Sequence, residues 1–345
     1  MGPRRSLIIR KRAPLRAATL ADVAKIAGVS PMTASRALNQ AHLVATDKAD
    51  RVRAAAARLA YVPNRIAGGL ASQRSRLVIA VVPGTLNPVF ADLIHALREE
   101  LLRSGYQLFL GLSDYDMPAE DELVETTIGH RPDGIVLTGV VHSPQLRFRL
   151  AGARIPVVET WDLTPTPIDM LVGFSNEKVG ASAAEHLLRR GSRKPALIVA
   201  DDHRAQARGA GFAAAAAERG IAIAGRVAVR APTTLGMGRD GLARLLTADP
   251  RIDAVFCSSD QLATGVLFEA AARGIRVPER LAVMGFGDLS GSAHTHPSLT
   301  TVAVDGARIG REAARLLLER LAAPEAARRS RIVDVGSRVV ARESA

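Results

Sequence analysis

Thr19-Leu-Ala-Asp-Val-Ala-Lys-Ile-Ala-Gly-Val-Ser-Pro-Met-Thr-Ala-Ser-Arg-Ala-Leu-Asn39 holds two helix starts separated by one tight turn. Thr19 and Asp22 have the spacing of a capping box, in which a side chain at each end satisfies an amide at the other. A first helix is predicted over Leu20–Ala27, with Leu20, Val23, Ala24 and Ala27 on one face. Gly28 supplies the turn and Val29 packs inward. Ser30 is a second N-cap, and Pro31 suits the first helical position, where no amide hydrogen is needed. A second helix is predicted over Pro31–Asn39, with Ala34, Ala37 and Leu38 inward. Ala24, Gly28 and Ala34 are small where the two helices cross. This is the pattern of a helix-turn-helix. A third helix is predicted over about Asp47–Ala60, capped by Thr46, basic outside (Lys48, Arg51, Arg53, Arg58) and apolar inside (Val52, Ala55, Ala56, Leu59).

Charge is concentrated around this segment. The 345-residue chain carries 46 basic and 34 acidic residues, a formal charge of +12. Residues 1–76 hold 15 of the basic and 3 of the acidic residues, leaving 31 of each sign in the remainder. The whole surplus therefore lies in the first fifth, which implies an anionic polymer as partner. The outer face of the second helix carries Thr33, Ser35, Arg36 and Asn39, residue types that hold phosphates and read base edges. A membrane-surface helix would show large apolar residues where this segment shows alanine.

Length predicts two or three domains, and 48% hydrophobic residues suffice for sizeable cores. No apolar run approaches the ~20 residues needed to cross a bilayer. The basic start has an apolar core, Leu7-Ile8-Ile9, too short for a signal peptide. The single Cys257 forms no internal disulfide and reads as a small buried hydrophobe. A cytoplasmic protein, nucleoid-associated when bound to DNA, is expected.

From Leu77 onward, short apolar runs alternate with amphipathic stretches. Residues 77–83, 107–112, 134–138, 157–159, 195–200, 254–258 and 281–285 read as buried parallel strands. Residues 90–104, 179–190, 208–219 and 262–273 read as helices. Repeated β-α units imply doubly wound sheets, and there are too many strands for one compact half. The fold class expected is α/β, with an all-α helix-turn-helix domain ahead of two doubly wound lobes. Gly236-Met-Gly-Arg-Asp-Gly241 matches the dinucleotide fingerprint formally, but Pro232-Thr-Thr-Leu235 separates it from its strand, so no nucleotide cofactor is assigned. No kinase-like or hydrolase-like motif is present. His294 and His296 lack a third ligand at metal spacing. No cofactor, metal or catalytic residue is assigned.

The stretch 19–39, followed by Leu59-Ala-Tyr-Val-Pro-Asn-Arg-Ile-Ala67, resembles the LacI/GalR family of bacterial transcriptional regulators, densely over residues 19–72 and more weakly to the carboxyl end. The resemblance implies a near-palindromic double-stranded DNA operator, a small-molecule effector and a homodimer, without a membrane partner. It implies that Pro31, Met32 and Arg36 choose operator bases, Arg36 carrying the direct readout because the other two lack donors. The DNA contacts carried over are Thr19, Ser30, Pro31, Met32, Thr33, Ser35, Arg36 and Asn39, with Asn64, Arg65, Ala67 and Leu70 from the hinge. There Leu70 would wedge into the minor groove, and Gly68 and Gly69 weaken the hinge helix. Residues 1–18 read as a basic disordered arm, 19–62 as the DNA-binding domain, and 63–76 as hinge and linker. Residues 77–345 form the effector and dimerisation domain of periplasmic-binding-protein type. Its first lobe would hold 77–172 and 303–330, its second 173–302 and 331–345.

Ligands of such lobes sit beyond the carboxyl ends of strands. Arg208-Gly-Ala-Gly-Phe212 is similar to the family's effector motif, whose Arg binds hydroxyls or a carboxylate. Ser259 precedes Asp260, which reads as a helix cap. Gly285-Phe-Gly-Asp288 has Gly287 at the family's sugar-binding acid, with Asp288 next to it as a substitute. An acid usual after Ile155-Pro156 and its strand is replaced by Trp161. With Asn87, Phe90 and Asn176 these complete the implied site. Lost acids and a retained Arg208 point to an anionic effector. The run 158–176 is similar to gluconate-utilisation repressors of the family, so a sugar acid such as gluconate is expected. A neutral-sugar or nucleobase sensor on the same fold stays open. An enzyme using the cleft would not need the basic helix-turn-helix, and a transport protein would need export.

Overall fold

A computed structural model describes residues 18–62, 74–84, 88–323 and 330–345. The chain divides into two compact units, Met1–Ser75 and Arg76–Ala345. In the first unit, α1 (Leu20–Ala27), α2 (Pro31–Asn39) and α3 (Thr46–Arg58) enclose a core of Val23, Ala24, Ala27, Ala34, Ala37, Ala49, Val52, Ala55 and Ala56. Alanine dominates because helices this short must approach closely to bury anything. The cap of α3 differs from expectation: the N-cap is Ala45, without a side-chain bond, and Thr46 is already helical.

The second unit holds two six-stranded sheets. Its strands are β1 (Leu77–Val82), β2 (Gln107–Leu112), β3 (Gly134–Thr138), β4 (Val157–Thr160), β5 (Met170–Gly173), β6 (Pro195–Ala200), β7 (Gly225–Val229), β8 (Ala254–Cys257), β9 (Ala282–Phe286), β10 (Thr300–Ala303), β11 (Arg331–Asp334) and β12 (Arg338–Val340). One sheet runs β11-β5-β4-β3-β1-β2 and the other β12-β10-β9-β8-β6-β7. Pairing is parallel except between β10 and β12. Parallel strands covered on both faces read as apolar runs, as in β1 (Leu-Val-Ile-Ala-Val-Val) and β6 (Pro-Ala-Leu-Ile-Val-Ala). The chain passes between lobes after β5, after β10 and between β11 and β12. The last passage corrects the expected boundary at residue 330, because β11 pairs with β5 in the first-lobe sheet.

Helices α4 (Ala91–Arg103), α5 (Met117–Gly129) and α6 (Pro144–Ala153) belong to the first lobe, where α11 (Gly306–Ala322) joins them. Helices α7 (Asn176–Arg189), α8 (His203–Glu218), α9 (Leu235–Ala248) and α10 (Asp260–Ala272) belong to the second. Three helix pairs touch backbone to backbone. A Cβ at Gly180 of α7 would lie 1.8 Å from the Arg208 carbonyl oxygen, and one at Gly211 of α8 would lie 2.1 Å from that of Glu177. Gly238 of α9 and Gly265 of α10 meet the Leu262 and Leu235 carbonyls in the same way, and Gly310 of α11 meets Leu93 of α4. Gly238, the middle glycine of the formal dinucleotide match, is therefore a helix-packing glycine.

One buried polar cluster sits inside the first lobe. His142 lies between Glu120 (Nδ1 to Oε2, 3.1 Å) and Glu159 (Nε2 to Oε1, 3.5 Å), and Arg147 approaches Glu159 at 3.8 Å. Burial works against its charge, but the two carboxylates outweigh it and raise the His142 pKa to about 9.

Two tests follow from these contacts. Gly211→Ala forces α7 and α8 apart and is expected to cost about 3 kcal/mol or more. Gly129→Ala, at the open end of α5, is expected to stay within about 0.5 kcal/mol of the parent. Equal thermal midpoints for the two variants would contradict the close approach. For His142, the folded pKa lies above the unfolded value. Its contribution is complete below the ordinary histidine value of 6.5 and is lost as pH rises through about 9. The stability difference between the parent and His142→Gln, from urea unfolding, is therefore expected to shrink across that window; a flat difference would mean that His142 folds uncharged.

Candidate functional site

The first unit builds its exposed face from local caps. Thr19 Oγ1 donates to Asp22 Oδ2 at 2.6 Å, and the Asp22 amide returns a bond to Thr19 Oγ1 at 3.3 Å. Gly28 closes α1 at φ 64°, a left-handed conformation that glycine adopts without strain. Ser30 Oγ accepts from the Thr33 amide at 3.1 Å and shares a 2.9 Å bond with Thr33 Oγ1. With Ala34 and Ala37 buried, α2 turns Pro31, Met32, Arg36 and Asn39 outward, while Thr33 and Ser35 are half-buried. Asn39 Nδ2 is engaged by the Ser35 carbonyl at 3.0 Å. Met32, 66% exposed, and Arg36 one turn later dominate the outer face. Lys48, Arg51, Arg53 and Arg58 of α3 are also exposed. Asn64, Arg65, Ala67 and Leu70 lie outside the described residues.

In the second unit the cleft between the lobes forms around α8. Arg208 is buried: Nη1 donates to Asn176 Oδ1 at 2.5 Å, Nη2 donates to the Ser258 carbonyl at 3.1 Å, and the guanidinium lies 4.1 Å from the Phe286 ring centroid. Its Nε is buried without a hydrogen-bond partner among the described residues. Burial draws the pKa down to about 10, partly offset by Asp202 and Asp162 and further lowered by Arg204, so the group stays charged at neutral pH. Phe212, one turn on, stacks on Phe256 at 5.3 Å and fixes the helix against its sheet.

The implied residues divide into three groups. Phe90, Trp161, Arg208 and Ser259 line one cavity together. Trp161, at φ 72°, packs edge-on against Phe90 at 5.0 Å and against Phe174 at 5.6 Å. Ser259 caps α10 and shares a 3.0 Å bond with Thr233 Oγ1. Asn176 stands behind the cavity wall, where it holds Arg208 and donates to Asp162 Oδ1 at 3.1 Å and to the Trp161 carbonyl at 3.3 Å. The Asp288 carboxylate is taken by Arg342 Nη2 at 2.6 Å, and Asp288 borders an adjoining cavity that shares Asp260 and Gln261 with the first. Asn87 lies outside the described residues.

Asp260 is not the cap of its helix, since Ser259 holds that role. Its buried carboxylate accepts from the Leu289 amide (2.9 Å), Ser292 Oγ (2.7 Å) and Thr301 Oγ1 (2.6 Å), while burial raises its pKa. It fastens the loop after β9 to β10. Cys257 is buried, and desolvation pushes its thiol well up.

Tyr115, Asp202, Arg204, Thr233 and Gln261 also line the cavity, and sequence reasoning had not assigned them. Arg204 was within reach of helical spacing, because it precedes Arg208 by four residues and shares its face. Asp202 is the N-cap of α8, accepting from the Ala205 amide at 3.2 Å. The cavity thus offers a buried cation, a second guanidinium, the carboxylates of Asp202 and Asp260, hydroxyls, an amide and four aromatic rings. These are groups that can hold a small polar ligand.

Comparison with known proteins agrees with both units. The model for bacterial regulatory proteins of the lacI family matches residues 19–64, and that for the periplasmic binding protein-like domain matches residues 184–345. The chain is 39% identical to the HTH-type transcriptional regulator GntR of Pseudomonas aeruginosa, over 94% of this chain and 95% of that one. A LacI-family transcriptional regulator from Silicibacter pomeroyi superposes with a TM-score of 0.88 at 32% identity, covering 95% of this chain and 99% of that one. The transcription regulator GntR from Chromobacterium violaceum superposes with a TM-score of 0.73 at 37% identity, over 78% of this chain and 98% of that one. The likeness extends over nearly the whole length of both chains in the first two of these regulators: the chain belongs to the LacI family and is a DNA-binding transcriptional regulator, not an enzyme.

Proposed function

We propose that the protein is a homodimeric repressor of sugar-acid catabolism genes, whose grip on a near-palindromic operator is set by a sugar acid such as gluconate bound between the lobes. The observation that carries the effector reading is Arg208. A guanidinium buried on two bonds, with Nε unsatisfied, gains most from a carboxylate. Ser259, Thr233 and Gln261 supply partners for the hydroxyls of an open-chain acid, and Phe90 and Trp161 supply apolar faces for its C–H groups. A neutral sugar would leave the cation unmatched.

Dimerisation is supported by β2, an edge strand of the first-lobe sheet. It exposes Phe109 (59%), Leu110 and Leu112, and Leu102 of α4 is exposed as well. An edge with this apolar character favours a partner. In the DNA-reading unit, Arg36 supplies a bidentate guanine contact and Met32 an apolar surface suited to a thymine methyl. Ligand-dependent movement of the lobes then alters how two such units are presented to the half-sites. A coupling of ~1–3 kcal/mol is enough to regulate.

Both halves of the reading can be tested on the purified full chain. Arg36→Ala is expected to lose about ten- to a hundredfold in operator affinity while binding to unrelated DNA falls less, as fluorescence anisotropy would show. Equal losses on both DNAs would remove Arg36 from base recognition. Gluconate is expected to lower operator affinity, glucose to leave it unchanged, and Arg208→Ala to keep operator binding while abolishing the gluconate response. A full response in Arg208→Ala, or a response to glucose alone, would sink the sugar-acid assignment.

A further inference from the structure

Arg204 is the second guanidinium of the cleft and differs from Arg208 in how it is held. It leaves α8 of the second lobe and crosses to the first, where Nη1 donates to the Thr138 carbonyl at the end of β3 at 3.3 Å. Its guanidinium carbon lies 5.6 Å from the Phe90 ring centroid and 6.0 Å from that of Tyr115, both first-lobe residues. On its own lobe, Nε faces Asp202 Oδ1 at 3.6 Å. Arg208 is thus anchored within the second lobe by two bonds, whereas Arg204 spans the lobes on one long bond to a neutral oxygen.

Its position divides the cleft. The cavity lined by Trp161, Arg208 and Ser259 has a volume of about 30 Å³ as the side chains stand, room for a water or two and less than the roughly 300 Å³ of a small-ligand site. A second cavity of about 280 Å³ adjoins it, lined by Ser113, Met117, Gly139 and Asp201 among others. Tyr115, Asp202 and Arg204 line both cavities and stand between them, as Val89, Asp260, Gln261 and Leu289 stand between the first cavity and the one beside Asp288. With the Arg204 side chain displaced, the two spaces join into one of the size that binds small ligands.

We propose that Arg204 is the gate of the cleft, and that an anionic ligand enters by drawing its guanidinium off the Thr138 carbonyl onto itself. A carboxylate is a stronger partner for guanidinium than a peptide oxygen, so the anion that opens the gate also holds it open. Asp202 stays beside the arginine stem as the pivot. Because Thr138 and Arg204 belong to different lobes, each opening releases one tie between them, which couples entry of the ligand to the lobe arrangement. A neutral ligand of the same size has no charge with which to draw the gate aside. The ligand half of this inference rests on the sugar-acid reading above; the partition itself does not.

The single tryptophan, Trp161, lines only the inner cavity and reports on the gate. In the ligand-free full chain, acrylamide quenching of its fluorescence is expected to be weak for the parent, severalfold stronger for Arg204→Ala and intermediate for Arg204→Gln. A thermal melt of each variant establishes that it is folded, and the Gln variant carries the test if the Ala variant is not. Quenching of the folded variants equal to that of the parent would overturn the gate. In stopped-flow mixing with gluconate, the Trp161 signal of the parent is expected to reach a rate that levels off with concentration, set by gate opening, and that of Arg204→Ala to rise linearly. A rate that levels off at the same value in both proteins would also overturn it. If gluconate gives no signal in either protein, the sugar-acid reading falls, while the quenching comparison still decides the gate.

Discussion

Arg208 can occupy its place only because α7 and α8 touch backbone to backbone. At Gly180 and Gly211 any side chain would collide with a carbonyl of the facing helix. That closeness brings the first turn of α7 against α8, so that Asn176 reaches the Arg208 guanidinium. A cation in this setting loses its hydration, which the lowered pKa registers. A side-chain amide oxygen, a backbone carbonyl and the face of Phe286 replace that hydration only in part. The same glycine contact recurs between α9 and α10 and between α11 and α4, so both lobes owe their geometry to one packing device.

Aromatic contacts continue this geometry from lobe to lobe. Phe90, Trp161, Phe174 and Phe286 form a series with centroid separations of 5.0, 5.6 and 6.0 Å, running from the first lobe through the crossing after β5 into the second. Rings packed edge to face resist small displacements but accept a different packing at modest cost. Asp260, tying the loop after β9 to β10, and Arg342, paired with Asp288, fasten the second lobe near the crossing that follows β10. Between these fixed parts Arg204 is the weakly held element. Its cation belongs to one lobe and its carbonyl partner to the other, so the cleft is shaped by contacts that differ greatly in strength.

Charge separates the two units almost as cleanly as packing does, the boundary after Ser75 leaving only Arg76 of the surplus to the second. The entire surplus lies in the first 76 residues, and the remainder is balanced at 31 residues of each sign. A basic field on the small helical unit draws phosphate over a distance comparable to the screening length. The balanced second unit adds no long-range pull of its own. The buried guanidinium of Arg208 sits where the local dielectric strengthens any contact it makes, in a way that bulk charge could not specify.

The parts legible in the sequence are those written in short-range code. Caps at Thr19 and Ser30, the turn at Gly28 and the spacing of alanines depend on residues within a turn of each other, and α1 and α2 stand where that code placed them. Long apolar runs likewise announced β1, β2, β3 and β6. The cap of α3 was misread because Ala45 and Thr46 differ by one residue and no side-chain bond distinguishes them. Strands β11 and β12 escaped because three or four residues with charged ends carry no periodicity; only the partners β5 and β10 make them strands. Arg208 could be carried over by resemblance, but nothing near Asp288 reveals that Arg342, 54 residues away, takes its carboxylate. Arg204 lay on a predictable helix face, yet its role needs Thr138, Phe90 and Tyr115 brought from the other lobe. The sequence by itself determined the reading helix, the charge division and the buried cation's position on its helix. Tertiary structure alone decided which groups share the cleft, because those contacts join segments whose separation along the chain leaves no local trace.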